Sequence, residues 1–244
     1  MSPRITLAIT ARVLRQLVRD RRTLAILLAL PCILEALLWW IYHDSSQVFD
    51  RVGPALLAIF PFFVMFLVTS VTTLRERTSG TLERLFTLPM GRLDFLVGYA
   101  LAFGMVALVQ AVLAVGVTVG LLDLTIHGPV VLLGVVAVAD AVLGTALGLF
   151  VSAFARTEFQ AVQFLPAVVV PQILLCGLLT PRDAMPDVLH AISDVLPLTY
   201  AVDAMSRLAG STATGHVWID LVVVVCFAVA ALCLGAATLR RRTE

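Results

Sequence analysis

Six apolar runs, each of about twenty residues or more, divide this chain and leave it few ways to fold. Hydrocarbon offers no water to a peptide group, so a segment that crosses it must be a helix or a strand of a closed barrel. Runs near 20 residues select helices, because barrel strands are about half as long and alternate in polarity. The class predicted is therefore all-α: a polytopic membrane protein with six transmembrane helices. Of the 244 residues 60% are hydrophobic and 14% charged, against about a quarter charged in soluble domains, so lipid replaces water as the main solvent.

The predicted spans cover 23–42, 54–74, 93–122, 129–154, 160–180 and 217–239. Trp39, Trp40 and Tyr42 close the first as anchors at headgroup level. The third and fourth exceed the minimum length, which predicts tilt or projection from the bilayer. Pro31, Pro61, Pro166 and Pro171 fall inside spans and predict kinks, with the freed carbonyls re-satisfied by neighbouring helices.

All 17 basic residues are arginine; the sequence holds no lysine. A P-loop needs its lysine to reach the phosphates, so any use of ATP requires a partner that supplies the site. Arginine placement sets the orientation. Arg4, Arg12, Arg15, Arg19, Arg21, Arg22, Arg75, Arg77, Arg84, Arg92, Arg156 and Arg240 to Arg242 fall on one side, leaving Arg51, Arg182 and Arg207 on the other. The positive-inside rule then places both termini in the cytoplasm.

Catalytic and metal signatures are missing from the sequence. Cys32, Cys176, Cys226 and Cys233 lie in apolar runs without C-x-x-C spacing, and His43, His127, His190 and His216 have no ligand spacing. No H-E-x-x-H or G-x-S-x-G occurs. Gly144 and Gly148 form a small-xxx-small pair suited to close helix packing.

Three segments outside the spans carry patterning. In 1–22, Arg4, Arg12, Arg15, Arg19 and Arg22 fall within about 80° at 100° per residue, with Ile9, Val13, Leu14 and Leu17 opposite. This predicts an amphipathic helix lying on the cytoplasmic membrane surface, or a basic topogenic tail. In 75–90, Leu82, Leu85 and Phe86 have i, i+3, i+4 spacing before Pro89, predicting a short helix that docks in a partner's groove or caps the bundle. In 181–215, Pro181, Pro186 and Pro197 punctuate apolar pieces such as Leu189, Ile192 and Leu196, predicting an external re-entrant or interfacial hairpin.

Glu35 and Asp140 sit deep in apolar runs, where an ionisable residue is a functional candidate by default. They form either a proton relay or hydrogen-bonded packing groups. Gln110, Gln163 and Gln172 predict interhelical glue or polar lining of a path.

The loop after the second span, Arg75-Glu76-Arg77-Thr78-Ser79-Gly80-Thr81-Leu82-Glu83-Arg84-Leu85, resembles the E-R-E-x-G-T-x-E-R-L pattern of the ABC transporter type-2 permeases. Leu179-Thr180-Pro181, Met185-Pro186, Leu196-Pro197-Leu198-Thr199-Tyr200 and Val202-Asp203-Ala204 resemble that family's external segment between spans five and six. The resemblance implies a single transmembrane domain over 1–244 in the bacterial plasma membrane. The chain would be the permease subunit of an exporter for a drug, antibiotic or lipid. It would itself be no enzyme and bind no cofactor, ATP and Mg being held by a partner ATP-binding subunit. Its other partners would be membrane lipids and a second permease chain, identical or paralogous, but no nucleic acid.

By the same resemblance, Glu76, Gly80, Thr81, Glu83, Arg84 and Leu85 would couple to the ATPase, and Pro181, Pro186, Pro197 and Tyr200 would belong to an external gate. Three rivals stand beside this. A proton-coupled secondary transporter would work through Glu35 and Asp140. An integral membrane enzyme would need paired ionisable groups at one depth. An anchor protein would need no structured helix between spans two and three.

Overall fold

The computed structural model describes residues 2–78 and 92–238, and every element among them is helical. The order is α1 Pro3–Arg19, α2 Arg21–Ile41, α3 Ser46–Thr78, α4 Arg92–Gly120, α5 Val130–Val151 and α6 Glu158–Leu175. A 3-10 turn at Arg182–Ala184 follows, then α7 Asp187–Ser193, α8 Pro197–Gly210 and α9 Gly215–Thr238. Helices α2, α3, α4, α5, α6 and α9 are long and apolar enough to cross a membrane, so the six predicted spans are all present.

Their bounds differ from expectation in places. The second span, expected over 54–74, runs 33 residues and is the longest, while the fourth is 22 residues and needs no unusual tilt. Its polar ends have helical geometry but no hydropathy signal: Ser46 to Gly53 precede the apolar run, and Arg75 to Thr78 form its last turn. The fifth span ends at Leu175, short of the expected 180.

Burial separates centre from rim. The apolar window of α3 is 67% inside the bundle, those of α2 and α6 only 17%, so α3 is the hub and the other two face outward. The hub contact is with α5, and it depends on glycine. A Cβ on Gly148 would stand 2.6 Å from the Phe66 carbonyl oxygen, and one on Gly144 would run into that of Phe62, so the two glycines let the backbones touch. Phe62, Phe66, Leu57, Leu133, Leu143 and Ala146 fill the core around this crossing.

Pro31 in α2 removes the amide that would have bonded the Leu27 carbonyl four residues earlier. The Gln110 side chain of α4 donates to that carbonyl at 2.6 Å, so a neighbouring helix supplies the missing donor. The same contact fixes α2 against α4.

Helix α1 corrects the expected 1–22 segment in two respects. It ends at Arg19, and Asp20 caps α2, accepting from the Thr23 amide at 3.2 Å and hydroxyl at 2.6 Å, which puts Arg22 on α2. These bonds hold the Asp20 carboxyl below its ordinary range. Its apolar stripe of Ile9, Val13 and Leu17 is buried against protein, with Leu14 only partly covered. The reason is Gly98 of α4, where a Cβ would lie 2.7 Å from Ile9 Cγ2, so its absence makes the seat for α1.

Candidate functional site

Three groups of residues gather the polar chemistry. The first lies at the α1 end of the bundle. There Arg12 Nη2 donates to both Glu76 oxygens, at 3.2 and 3.3 Å, and the Tyr99 hydroxyl donates to the same carboxylate. The Ser2 amide and Thr6 hydroxyl donate to Asp94 Oδ1 at 2.9 and 3.1 Å, and Thr10 donates to the Gly98 carbonyl at 3.1 Å. Glu76 stands three residues before segment 79–91 and Asp94 three after it. One helix, α1, therefore holds both roots of that segment. Arg75 pairs with Glu158 of α6 at 2.9 and 3.2 Å, fastening the end of α3 on its other side.

Of the expected coupling residues, Glu76 falls within this network, whereas Gly80, Thr81, Glu83, Arg84 and Leu85 lie outside the described residues. Sequence reasoning missed Arg12, Tyr99 and Asp94. A tyrosine and a carboxylate at the start of an apolar helix were the available signal.

The second group lies within the bundle. Glu35 shares the stripe of α2 that holds Leu27 and Pro31, and Asp140 sits midway along α5; both are fully buried. Neither carboxylate has a hydrogen-bond partner among the described residues, so no direct bond joins them. Gln172 of α6 donates to Val168 O at 3.0 Å and accepts from the Leu198 amide at 3.3 Å, tying α6 to the first turn of α8. Gln110 and Gln172 thus join helices.

The third group lies at the opposite end. Pro181 precedes the 3-10 turn, Pro186 caps α7 and Pro197 begins α8, where a missing amide costs nothing. Tyr200 donates to the Asp194 carbonyl at 2.7 Å, and Ser193 to the Leu175 carbonyl at 2.8 Å. Arg182 bridges Asp194 and Asp203; Arg207 pairs with Asp220 at 3.5 Å. Burial raises the Asp203 carboxyl above its ordinary value, with Arg182 opposing. Helix α8 turns Leu198, Val202, Met205 and Leu208 into the core, so this segment is anchored in the bundle rather than looped over it. The proline and tyrosine positions were legible in sequence; the Arg182 bridges were not.

No group of His, Cys, Asp or Glu among the described residues has the geometry of a metal site.

Comparison with known proteins adds the frame for this geometry. The sequence model of the ABC-2 type transporter family matches residues 5–208. ABC transporter G family member 20 of Dictyostelium discoideum is 27% identical over 185 residues, covering 75% of this chain and 25% of that protein. The probable multidrug ABC transporter permease YbhS of Escherichia coli (strain K12) is 26% identical over 193 residues, 79% of this chain and 50% of its own. The inner membrane transport permease YhhJ of the same strain is 31% identical over 138 residues, covering 55% and 36%. The chain thus spans half or less of the length of each of these relatives.

Proposed function

The chain belongs to the ABC-2 type transporter family, and from that premise we propose that it is the membrane-spanning permease subunit of an ATP-binding cassette exporter. The observation that carries this reading is the family match over residues 5–208 in a sequence without lysine. The nucleotide site is then on an ATP-binding subunit that holds ATP and Mg. Two permease chains, identical or paralogous, frame the path through the plasma membrane, with both termini cytoplasmic. The residues 1–244 act as one transmembrane unit. The cargo is hydrophobic or amphipathic, a drug, antibiotic or lipid, in keeping with the printed name of YbhS.

Segment 79–91 is the contact with the ATPase, through Gly80, Thr81, Glu83, Arg84 and Leu85. Glu76 acts as a strut rather than a docking contact, because Arg12 and Tyr99 occupy its carboxylate. A nucleotide-driven movement of the segment would pull on Glu76 and Asp94 together and so on α1, which supports a rigid transmission of the ATPase stroke into α3 and α4. For ATP to bias two states of the bundle, the segment must bind its partner differently in each. At the other end, Pro181, Pro186, Pro197 and Tyr200 shape the external gate.

Reconstituted with its ATP-binding subunit in vesicles, the complex is expected to move a fluorescent amphipathic dye only with ATP and Mg. Transport that persists without nucleotide, collapses with the proton gradient and is lost in Glu35→Gln or Asp140→Asn would transfer the function to the proton-coupled alternative. The burial of those two carboxylates without a hydrogen-bond partner among the described residues is the observation that keeps that alternative in view.

A further inference from the structure

Helix α1 does not rest on lipid through its apolar stripe, because Ile9, Val13 and Leu17 are spent on the bundle. The opposite face is left. By helical geometry Arg4, Arg15 and Arg19 fall within about 60° of one another, and Val13 stands about 180° from Arg4. All three arginines are exposed, as are Arg21 and Arg22, which open α2. None of the five has an ion pair among the described residues; of the arginines on α1 only Arg12 is paired, to Glu76. The helix itself carries no acidic residue. Its outward face is therefore a row of guanidinium groups without a counter-charge.

The spans fix the depth of this face. Thr6 and Thr10 bond the Asp94 carboxylate and the Gly98 carbonyl on the first two turns of α4, where its apolar window begins. Only Asp20 separates α1 from α2, itself long and apolar enough to span. A helix seated where two spans begin lies at headgroup level, and side chains on its outward face reach lipid phosphate. Leu7 and Val18 border the arginines and are 63% and 61% exposed, which suits acyl chain beside headgroup better than it suits water.

We propose that the outward face of α1 binds the phosphates of anionic phospholipids in the leaflet at its end of the bundle. Guanidinium forks match phosphate oxygens, and with no carboxylate on α1 nothing there would hold the ammonium of a zwitterionic headgroup. Because the contact is made by charge and not by a buried apolar stripe, it depends on salt and on lipid charge. The same helix holds Glu76 and Asp94 at the two roots of segment 79–91, so lipid charge bears on that segment. Only this last consequence rests on the permease reading; binding itself is measured with neither nucleotide nor partner.

The test is calorimetric titration of the purified full chain in nonionic detergent with dihexanoyl phosphatidylglycerol, dihexanoyl phosphatidylcholine and inorganic phosphate. The glycerol lipid is expected to bind at least about tenfold more tightly than either of the others, and less tightly as salt is raised. A chain carrying Arg4→Gln, Arg15→Gln and Arg19→Gln, with its fold checked by melting, is expected to lose most of that preference, and the corresponding lysine variant to keep it. Arg240→Gln, Arg241→Gln and Arg242→Gln remove the same charge at the other end of the sequence and are expected to leave it intact. Equal affinity for the two lipids overturns the proposal, as does a folded glutamine variant of α1 that keeps the preference or an equal loss in the Arg240 to Arg242 variant. Inorganic phosphate bound as tightly as the glycerol lipid overturns the assignment to lipid. An α1 variant that binds lipid normally but recovers less ATP-binding subunit makes the face a protein contact and likewise overturns it.

Discussion

Arg12 on α1 reaches both carboxylate oxygens of Glu76 at the foot of α3, at 3.2 and 3.3 Å, across 64 residues of sequence. The Glu76 side chain is 12% exposed, so this pair is better shielded than a surface bridge, and the Tyr99 hydroxyl donates to the same carboxylate. If the pair transmits motion from segment 79–91, its strength matters to coupling more than to folding.

Arg12→Ala and Glu76→Gln are expected to leave the chain inserted while lowering ATPase-coupled transport. In a double-mutant cycle on thermal stability the pair should show about 0.5–3 kcal/mol of interaction. Additive single effects together with unchanged transport would remove α1 from the coupling path.

Glu83→Arg reverses a charge in the segment assigned to the ATPase contact. Insertion is expected to be normal and recovery of the ATP-binding subunit reduced, since like charges across an interface oppose docking. Pull-down yield and substrate-stimulated ATP turnover are the readouts, and normal values of both count against the contact.

Gln110→Leu orphans the Leu27 carbonyl opposite Pro31, which should cost about 1–3 kcal/mol. Pro31→Ala restores the amide that this carbonyl lacks, so the double variant is expected to regain most of the loss. Denaturant titration in detergent decides; a double variant no more stable than Gln110→Leu alone would contradict the assigned role of the glutamine.

Gly148→Val places side-chain atoms where the Phe66 carbonyl already stands, and separating α3 from α5 should cost about 1–3 kcal/mol or prevent folding. Gly134 on the same helix has open space at its Cβ position, so Gly134→Ala is expected to be neutral or slightly stabilising. Monodisperse yield after detergent extraction compares them, and equal yields would rule out the backbone contact.

The Asp203 carboxyl is raised mainly by burial, with Arg182 opposing. The folded chain thus holds this proton more tightly than the unfolded one. The associated stability is complete at low pH and is lost as pH rises from about 4 through the folded-state value. Melting curves across that range should show a falling component in the original protein that Asp203→Asn lacks. Parallel curves would mean that the group is not buried as described.

How far these features were legible depended on whether a residue's role needs a partner. Hydropathy does not, so all six spans and their order could be read from runs such as 130–151. Helix length beyond the apolar run does need one: Arg75 to Thr78 stay helical because Arg75 reaches Glu158 and Glu76 reaches Arg12, contacts separated by 83 and 64 residues. Pro31 in the sequence requires a donor from elsewhere, but only the packing of α4 names Gln110. The apolar stripe of α1 was legible, whereas its burial against protein turned on Gly98, whose missing Cβ carries no pattern. Arg182 bears on topology in the sequence, but its bridges do not show there, because neither of its aspartates shares its helix.

If these residues form the permease of a complex whose ATP site lies on another subunit, that subunit should leave the membrane with them. Tagged chain purified from its native membrane in mild detergent, with mass identification of what accompanies it, tests this most directly. An ATP-binding subunit is expected in stoichiometric amounts, lost in Glu83→Arg. Recovery of this chain alone, with dye transport intact in nucleotide-free vesicles, would contradict it.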